Sequence, residues 1–438
     1  MKKIFVTSGM LCTILTLSQT KKDSTTQKEI KEVVLVGKKP TVENKVDRTV
    51  FNVANSSILA GNTTWEVLKM TPLISVENDE TLKSEGENVT VYINDRKSVF
   101  TGKELKEYLK TIPADNLMKI EVITNPSARY ESAGSVINIV LKKLENEGVK
   151  GSVSLSNTQN KKNSQYSNFN LNYHKKNFTQ TLSGGYSNGE YVYSSTNENY
   201  IYANKSLTSV ITDSKNLNKV PTFSSTSELE LDSKNNIGLI LEYFQYKYNN
   251  NANAVGSSYL DTVFQNSFTQ NQSTNGDHKS IGSNVFYKYY DKVKNKIFDV
   301  NLGVNYYNEE SNNEFILSQE IAPVSSGSKI VSDNQNRNYY LKLDYTQPFE
   351  KSGINLEMGG KIDFKNNVIP NDYYLLNQNN WNLDHSKSNR FQYLENLNSV
   401  YTNVSKTFFK KLEARIGLRY EYIHYKIMQN VGSIEKTN

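Results

Sequence analysis

From about Gly148 to the last residue, the chain repeats one unit: a strand of alternating apolar and polar residues, a long Asn/Ser/Tyr-rich stretch, another alternating strand, then a tight charged turn. Successive side chains of a strand point to opposite faces. Phe298, Val300, Leu302, Val304 and Tyr306 therefore share one face, and Asp299, Asn301, Gly303 and Asn305 the other. Ile354, Leu356, Met358, Ile362 and Phe364 oppose Asn355, Glu357, Lys361 and Asp363 in the same way, and Tyr339, Leu341, Leu343 and Tyr345 oppose Lys342 and Asp344. Ala414, Ile416, Leu418, Tyr420 and Tyr422 stand against Arg415, Arg419 and Glu421. A soluble sandwich also alternates, but it seldom sets charged faces so regularly against apolar ones or ends so many strands in Tyr. The pattern fits a mainly β fold, a transmembrane antiparallel β-barrel with lipid on one face, a wet lumen on the other and Tyr at the headgroups.

Tight turns fall near His174 to Asn177, Asp232 to Asn236, Asp291 to Lys296, Pro348 to Gly353 and Ser405 to Lys411. Long polar segments, read as loops, fall around 188 to 220, 249 to 279, 307 to 336 and 365 to 390. Long loops belong outside and short turns in the periplasm. About eleven strands can be counted, and an odd, unclosed set would leave two bare edges in hydrocarbon. The expectation is therefore the N-terminal half of a larger barrel, with closure by other chains as the rival.

The 37% hydrophobic content and negative mean hydropathy exclude a helical membrane protein but not an alternating barrel. The net charge of +6 is spread along the chain, so no nucleic-acid partner is expected. Lys2 and Lys3, the apolar run Ile4 to Leu17 and Ser18-Gln19 read as a signal peptide over 1–19, too short to stay as a membrane helix. The single cysteine, Cys12, lies inside it, so the mature chain is expected to have no thiol.

Residues 20–44 read as a polar periplasmic tether, interrupted by Glu32-Val33-Val34-Leu35-Val36-Gly37. That β-branched run could add itself to a partner's sheet edge, or could be the first strand of the next unit. Residues 45–145 read as a small α/β domain, followed by barrel over 146–438. Thr63 and Glu66 form a capping box ahead of Trp65, Val67, Leu68 and Met70, and Thr101 and Glu104 a second box ahead of Leu105, Tyr108 and Leu109. Val89 to Ile93 reads as a strand, Asn94-Asp95 as a turn and Lys97 to Phe100 as its return, with further strands at Leu117 to Thr124 and Val136 to Leu141.

Three strings in this domain carry a resemblance: Leu68-Lys69-Met70-Thr71-Pro72, Val89 through Arg96, and Ile120 through Tyr130 followed by Ile137-Asn138-Ile139-Val140-Leu141-Lys142-Lys143. Together they resemble the plug domain of TonB-dependent outer-membrane receptors, closest to the branch whose barrel is described simply as an outer-membrane β-barrel family. The resemblance implies a 22-stranded barrel with the plug inside, of which eleven strands would be half. It also implies that Glu32, Val33, Val34, Leu35, Val36 and Gly37 act as a TonB box for a periplasmic energy-coupling protein. The protein would lie in the outer membrane of a Gram-negative bacterium, contacting lipid and binding an unidentified ligand through its outer loops. Asn94-Asp95 departs from the family's usual Asp-Gly turn, and Leu73 stands where a glycine often follows the proline.

No catalytic, cofactor or metal constellation is legible: His174, His278, His385 and His424 are scattered, and no phosphate-cradling or nucleophile-elbow motif occurs. The chain does not read as an enzyme. Arg129 and Glu131 are the plug charges singled out for ion pairs with a wall carrying Arg415, Arg419, Glu421, Glu357 and Lys361. Loop aromatics such as Tyr200, Tyr202, Tyr259, Tyr306, Tyr307, Tyr373, Tyr374 and Trp381 suit a sugar or peptide as well as they suit a headgroup girdle. The leading expectation is energy-coupled uptake through a plugged barrel; the alternative is a non-transporting barrel serving as adhesin, receptor or scaffold.

Overall fold

The computed structural model describes residues 41–438 apart from 46, 56–60, 79, 132–133, 145, 321–324, 410–411, 432–433 and 438. The signal segment and Glu32 to Gly37 lie outside the described residues.

Two sheets and a small hairpin sheet make up the structure. The large sheet has 13 strands, eleven of them long and each paired antiparallel with the next in sequence. In order the long strands are Gly148–Gln159, Asn163–Lys175, Phe178–Ile201, Ser206–Glu230, Asn235–Leu260, Val263–Asp291, Lys296–Gln319, Ser326–Phe349, Ile354–Asn377, Asn389–Phe408 and Leu412–Val431. They are called the first to the eleventh below. Two four-residue strands, Asn380–Leu383 and Ile434–Thr437, complete the set. Among the described residues the first and eleventh strands do not pair with one another.

Burial in this sheet is inverted relative to a soluble protein. Leu302 is 54% exposed and Phe364 50%, whereas Asp299 is 7% and Asp363 4% exposed. Apolar side chains face outward and the charged ones inward, as the alternation predicts. An outward belt of this kind is stable only against lipid.

One expectation is corrected. The segments around 188 to 220, 249 to 279, 307 to 336 and 365 to 390 are largely strand, not loop: the ladders run on to tips at 202–205, 261–262 and 378–379, and the seventh and eighth strands stay paired out to Leu317 and Ser326. The sixth strand alone has 29 residues. Beyond the lipid both faces of a hairpin are wet, so apolar alternation disappears while the backbone pairing persists, and the sequence there looks like loop. The short turns at the opposite end, at 176–177, 231–234, 292–295, 350–353 and beginning at 409, fall where they are expected.

The N-terminal unit is a six-stranded sheet ordered Val42–Asn44, Thr49–Phe51, Leu117–Ile123, Val136–Leu141, Thr90–Ile93 and Arg96–Lys97, with only the pairing of Thr90–Ile93 to Val136–Leu141 parallel. It takes in residues 42–44, which the sequence places in the tether, because Val42–Asn44 pairs with Thr49–Phe51. The helices Thr64–Lys69 and Gly102–Lys110 cover one face, burying Trp65, Val67, Leu68, Leu105 and Leu109 against Ile120, Ile137 and Ile139. Val220 and Phe244 of the large sheet belong to the same apolar cluster.

The first capping box forms: Glu66 N–H donates to Thr63 Oγ1, and Thr63 N–H donates to Glu66 Oε2 at 2.8 Å. The second does not. Thr101 caps with its backbone alone, because Glu104 reaches instead to His278 on the sixth strand, 2.5 Å away. The Asn94-Asp95 turn has positive φ at both residues, 50° and 65°, as a primed hairpin turn requires. Both side chains are used: Asn94 Oδ1 accepts from Leu141 N–H at 2.9 Å, and Asp95 Oδ1 accepts from Asn138 Nδ2 at 2.9 Å. Glycine could supply the φ but neither bond. Leu73 holds φ at 66°, the left-handed conformation that glycine adopts without strain.

Candidate functional site

The α/β unit sits against the inward face of the large sheet and is touched by ten consecutive strands. On the second strand, Asn168 Nδ2 donates to Lys110 O at 3.3 Å, and Asn170 Oδ1 accepts from Asn116 at 2.8 Å. Gly185 of the third lies so near Thr111 that a Cβ there would come within 2.8 Å of its methyl. Ser224 of the fourth reaches the Tyr108 hydroxyl, and Phe244 of the fifth packs on Phe100 with centroids 6.2 Å apart. His278 of the sixth meets Glu104, and Asn301 of the seventh accepts from Arg96 Nε at 3.3 Å. The remaining four strands supply Asp344, Lys361, Asn403 and Arg415, which meet Arg129, Glu131, Ala128 and Asp47. Most of these contacts are polar, beside an apolar seam at Val220, Phe244 and the partly buried Tyr246.

The charges singled out from the sequence lie in one cluster. Glu131 Oε2 is 2.7 Å from Lys361 Nζ and 3.6 Å from Lys97 Nζ, while its backbone N–H donates to the Tyr92 hydroxyl at 3.1 Å. Lys361 also meets Asp363 at 2.7 Å. Arg129 Nε stands 3.7 Å from Asp344, which is approached at 3.4 Å by Lys342 and accepts a hydrogen bond from Tyr401. Of the other wall residues, Arg419 donates to Ala128 O at 3.2 Å, Glu357 accepts from Ser127 Oγ at 3.4 Å, and Arg415 pairs with Asp47 at 3.2 Å. Glu421 pairs with Arg419, 2.6 Å away. Sequence reasoning missed Lys97, Asp344, Tyr401 and the Glu104–His278 pair. Asp344 sits on a polar strand face that was legible, but its partner depends on which loop faces it.

Burial alone would raise the Glu131 carboxyl, yet Lys361, Lys97 and Lys342 outweigh it and hold it down to about 2, from an ordinary 4.5. A depressed folded value stabilises the docked unit above the unfolded pKa and loses that contribution as pH falls through the folded one. Protease sensitivity within residues 41–143 should therefore stay flat above pH 4.5 and rise as the pH falls from there towards 2. Glu131→Gln should remove that part of the pH dependence, which pulse proteolysis across the range would measure.

Two cavities adjoin the apex of the unit at Val99 and Thr101. The proximal one, about 890 Å³, is lined by the ionic cluster: Arg129, Glu131, Lys342, Asp344, Lys361 and Asp363. The distal one, about 870 Å³, is lined by Phe244, Tyr246, Tyr248, His278 and Tyr307 with Lys103 and Glu104 of the helix Gly102–Lys110. Its wall residues lie further from the short turns along each strand, so it opens towards the long hairpins. Among the described residues no group of three or more His, Cys, Asp or Glu is placed to hold a metal ion.

Residues 290–438 match the model of the outer membrane protein beta-barrel family. The comparison with curated proteins found no match. Among solved structures, the chain is similar to the ferric-catecholate import receptor Fiu from E. coli K12, with 10% identity, 89% of this chain and 77% of that chain covered, and a TM-score of 0.35. The ferric citrate transporter FecA gives 11%, 87%, 73% and 0.34, and the siderophore receptor PirA from Acinetobacter baumannii 9%, 87%, 92% and 0.26.

Proposed function

We propose that this chain, an outer-membrane β-barrel protein, is a TonB-dependent receptor: it binds a ligand through its outer hairpins and admits it when an energised periplasmic partner shifts the α/β plug. The observation that carries this reading is the character of the plug's seat. Ten strands hold it, almost wholly through hydrogen bonds and ion pairs that water can replace, so it can be displaced without exposing a large apolar surface. A permanent core would be sealed by apolar packing, and among the described residues the large sheet adds only Val220, Phe244 and the partly buried Tyr246 to the unit's apolar cluster. No bond-making chemistry is required of any residue. Glu32 to Gly37 is the proposed attachment point for the partner, by strand addition.

The test needs no ligand. Cysteine is placed singly at Val34 in the otherwise thiol-free mature chain, and disulfide capture is sought in cells with a TonB-type protein carrying its own single cysteine in the periplasmic domain. Capture at Val34, lost on deleting Glu32 to Gly37, is the expected result. A chain that reaches the outer membrane folded and never cross-links is the non-transporting barrel instead.

A further inference from the structure

The two cavities beside the plug apex are close in size but differ in chemistry. The proximal one is dominated by Arg, Lys, Asp and Glu already committed to holding the plug. The distal one has two lysines and two glutamates, which cancel, and each is already engaged. Lys103 Nζ lies 3.4 Å from the Tyr246 ring centroid, Glu104 is on His278, Glu309 accepts from the Tyr307 hydroxyl at 2.9 Å, and Lys365 pairs with Glu395 at 2.7 Å. No surplus charge is left for an ionic ligand.

What the distal wall offers instead is amides and aromatic rings. Seven carboxamides line it, among them Asn250, Asn334, Asn336 and Asn367, and a carboxamide can donate and accept at once. Tyr246 and Tyr248 stand near-parallel, centroids 5.1 Å apart, and Tyr248 lies so close over Gly276 of the next strand that a Cβ there would come within 2.3 Å of it. A ring laid against backbone in this way is a fixed, half-buried apolar wall with a polar tip.

We propose that the distal chamber binds a neutral, hydroxyl-rich ligand of the oligosaccharide class. Its C–H face rests on Tyr248, beside the Tyr246 ring that Lys103 covers, and its hydroxyls exchange hydrogen bonds with the carboxamides. Lys103 and Glu104 carry the contact into the plug, because both belong to the helix Gly102–Lys110. The proposal rests on the receptor reading above and specifies the chemistry of its ligand.

The test uses the full chain in detergent, folded by the criterion of heat-modifiable migration. Maltohexaose, cellohexaose, xylohexaose and mannohexaose are titrated alongside ferric citrate as the anionic probe. The expected result is saturable binding of at least one oligosaccharide, no binding of ferric citrate, and affinity weakened roughly tenfold by Tyr248→Leu, the scale of one lost aromatic contact. Asn250→Ser, which removes an amide without opening the wall, should weaken the same sugar and serves if the tyrosine variant does not fold. Binding of ferric citrate alone, of none of the sugars, or of a sugar indifferent to both substitutions overturns the assignment. A chain that binds sugar but shows no capture at Val34 keeps the ligand class and loses energised uptake; the reverse outcome keeps uptake and loses the ligand class.

Discussion

Glu131→Lys is expected to unseat the plug. The substitution puts a third cation beside Lys361 and Lys97, which lie 2.7 and 3.6 Å from the native carboxylate, with Lys361 only 9% exposed. Breaking a buried pair and leaving its partner uncompensated costs about 3–5 kcal/mol, enough to shift a unit held mainly by exchangeable polar contacts. Limited trypsin digestion of outer membranes should then cut within residues 41–143 at rates well above wild type, while the barrel keeps its heat-modifiable migration. Lys361→Glu in the same chain should restore part of the protection. It cannot restore all of it, because Asp363, 2.7 Å from the native ammonium, would then face a second carboxylate. If Glu131→Lys leaves the plug as protected as wild type, the cluster does not hold it.

Gly359→Val should damage the barrel itself. A Cβ at Gly359 would lie 2.4 Å from Leu343 O and 2.5 Å from the Tyr401 hydroxyl. The tyrosine could swing aside, but the carbonyl belongs to the ladder that joins the eighth and ninth strands. Overpacking of this kind costs about 1–3 kcal/mol, and more where backbone must move. The loss would spread, since Tyr401 crosses Gly359 to donate to Asp344, the residue that faces Arg129. The expected readout is little or no heat-modifiable species from Gly359→Val. Gly360→Ala, whose added Cβ would meet its nearest atom at 3.1 Å, should be far milder. Tyr401→Phe should not rescue Gly359→Val, because the backbone clash remains.

The barrel was legible because its strands are written for two solvents at once. Leu302 and Asp299 cannot share a face, and only lipid and water on opposite sides satisfy both. The hairpin extensions were not legible because there both sides are water, and Asn, Ser and Thr give no period. The first capping box was legible since Thr63 and Glu66 need only each other, whereas Glu104 found a partner on the sixth strand that no local rule could supply. The same limit hides the glycines. Gly303 and Tyr340, Gly276 and Tyr248, and Gly359 and Tyr401 are direct cross-strand partners, visible as pairs only once register is known. Arg129 and Glu131 could be singled out as charges in an otherwise apolar and small-residue stretch. Which wall residue answers each depended on the depth at which the plug sits.

The hairpins set where this protein first meets anything outside the cell. A strand needs only about ten residues to cross the hydrocarbon, and the sixth has 29. At about 3.4 Å per residue, allowing for tilt, that leaves a paired ladder standing on the order of 40 Å clear of the lipid. A rim that tall is a stiff wall, since neighbouring hairpins are tied together by backbone hydrogen bonds well beyond the membrane. It places the mouth of the chamber among the sugar chains that coat an outer membrane.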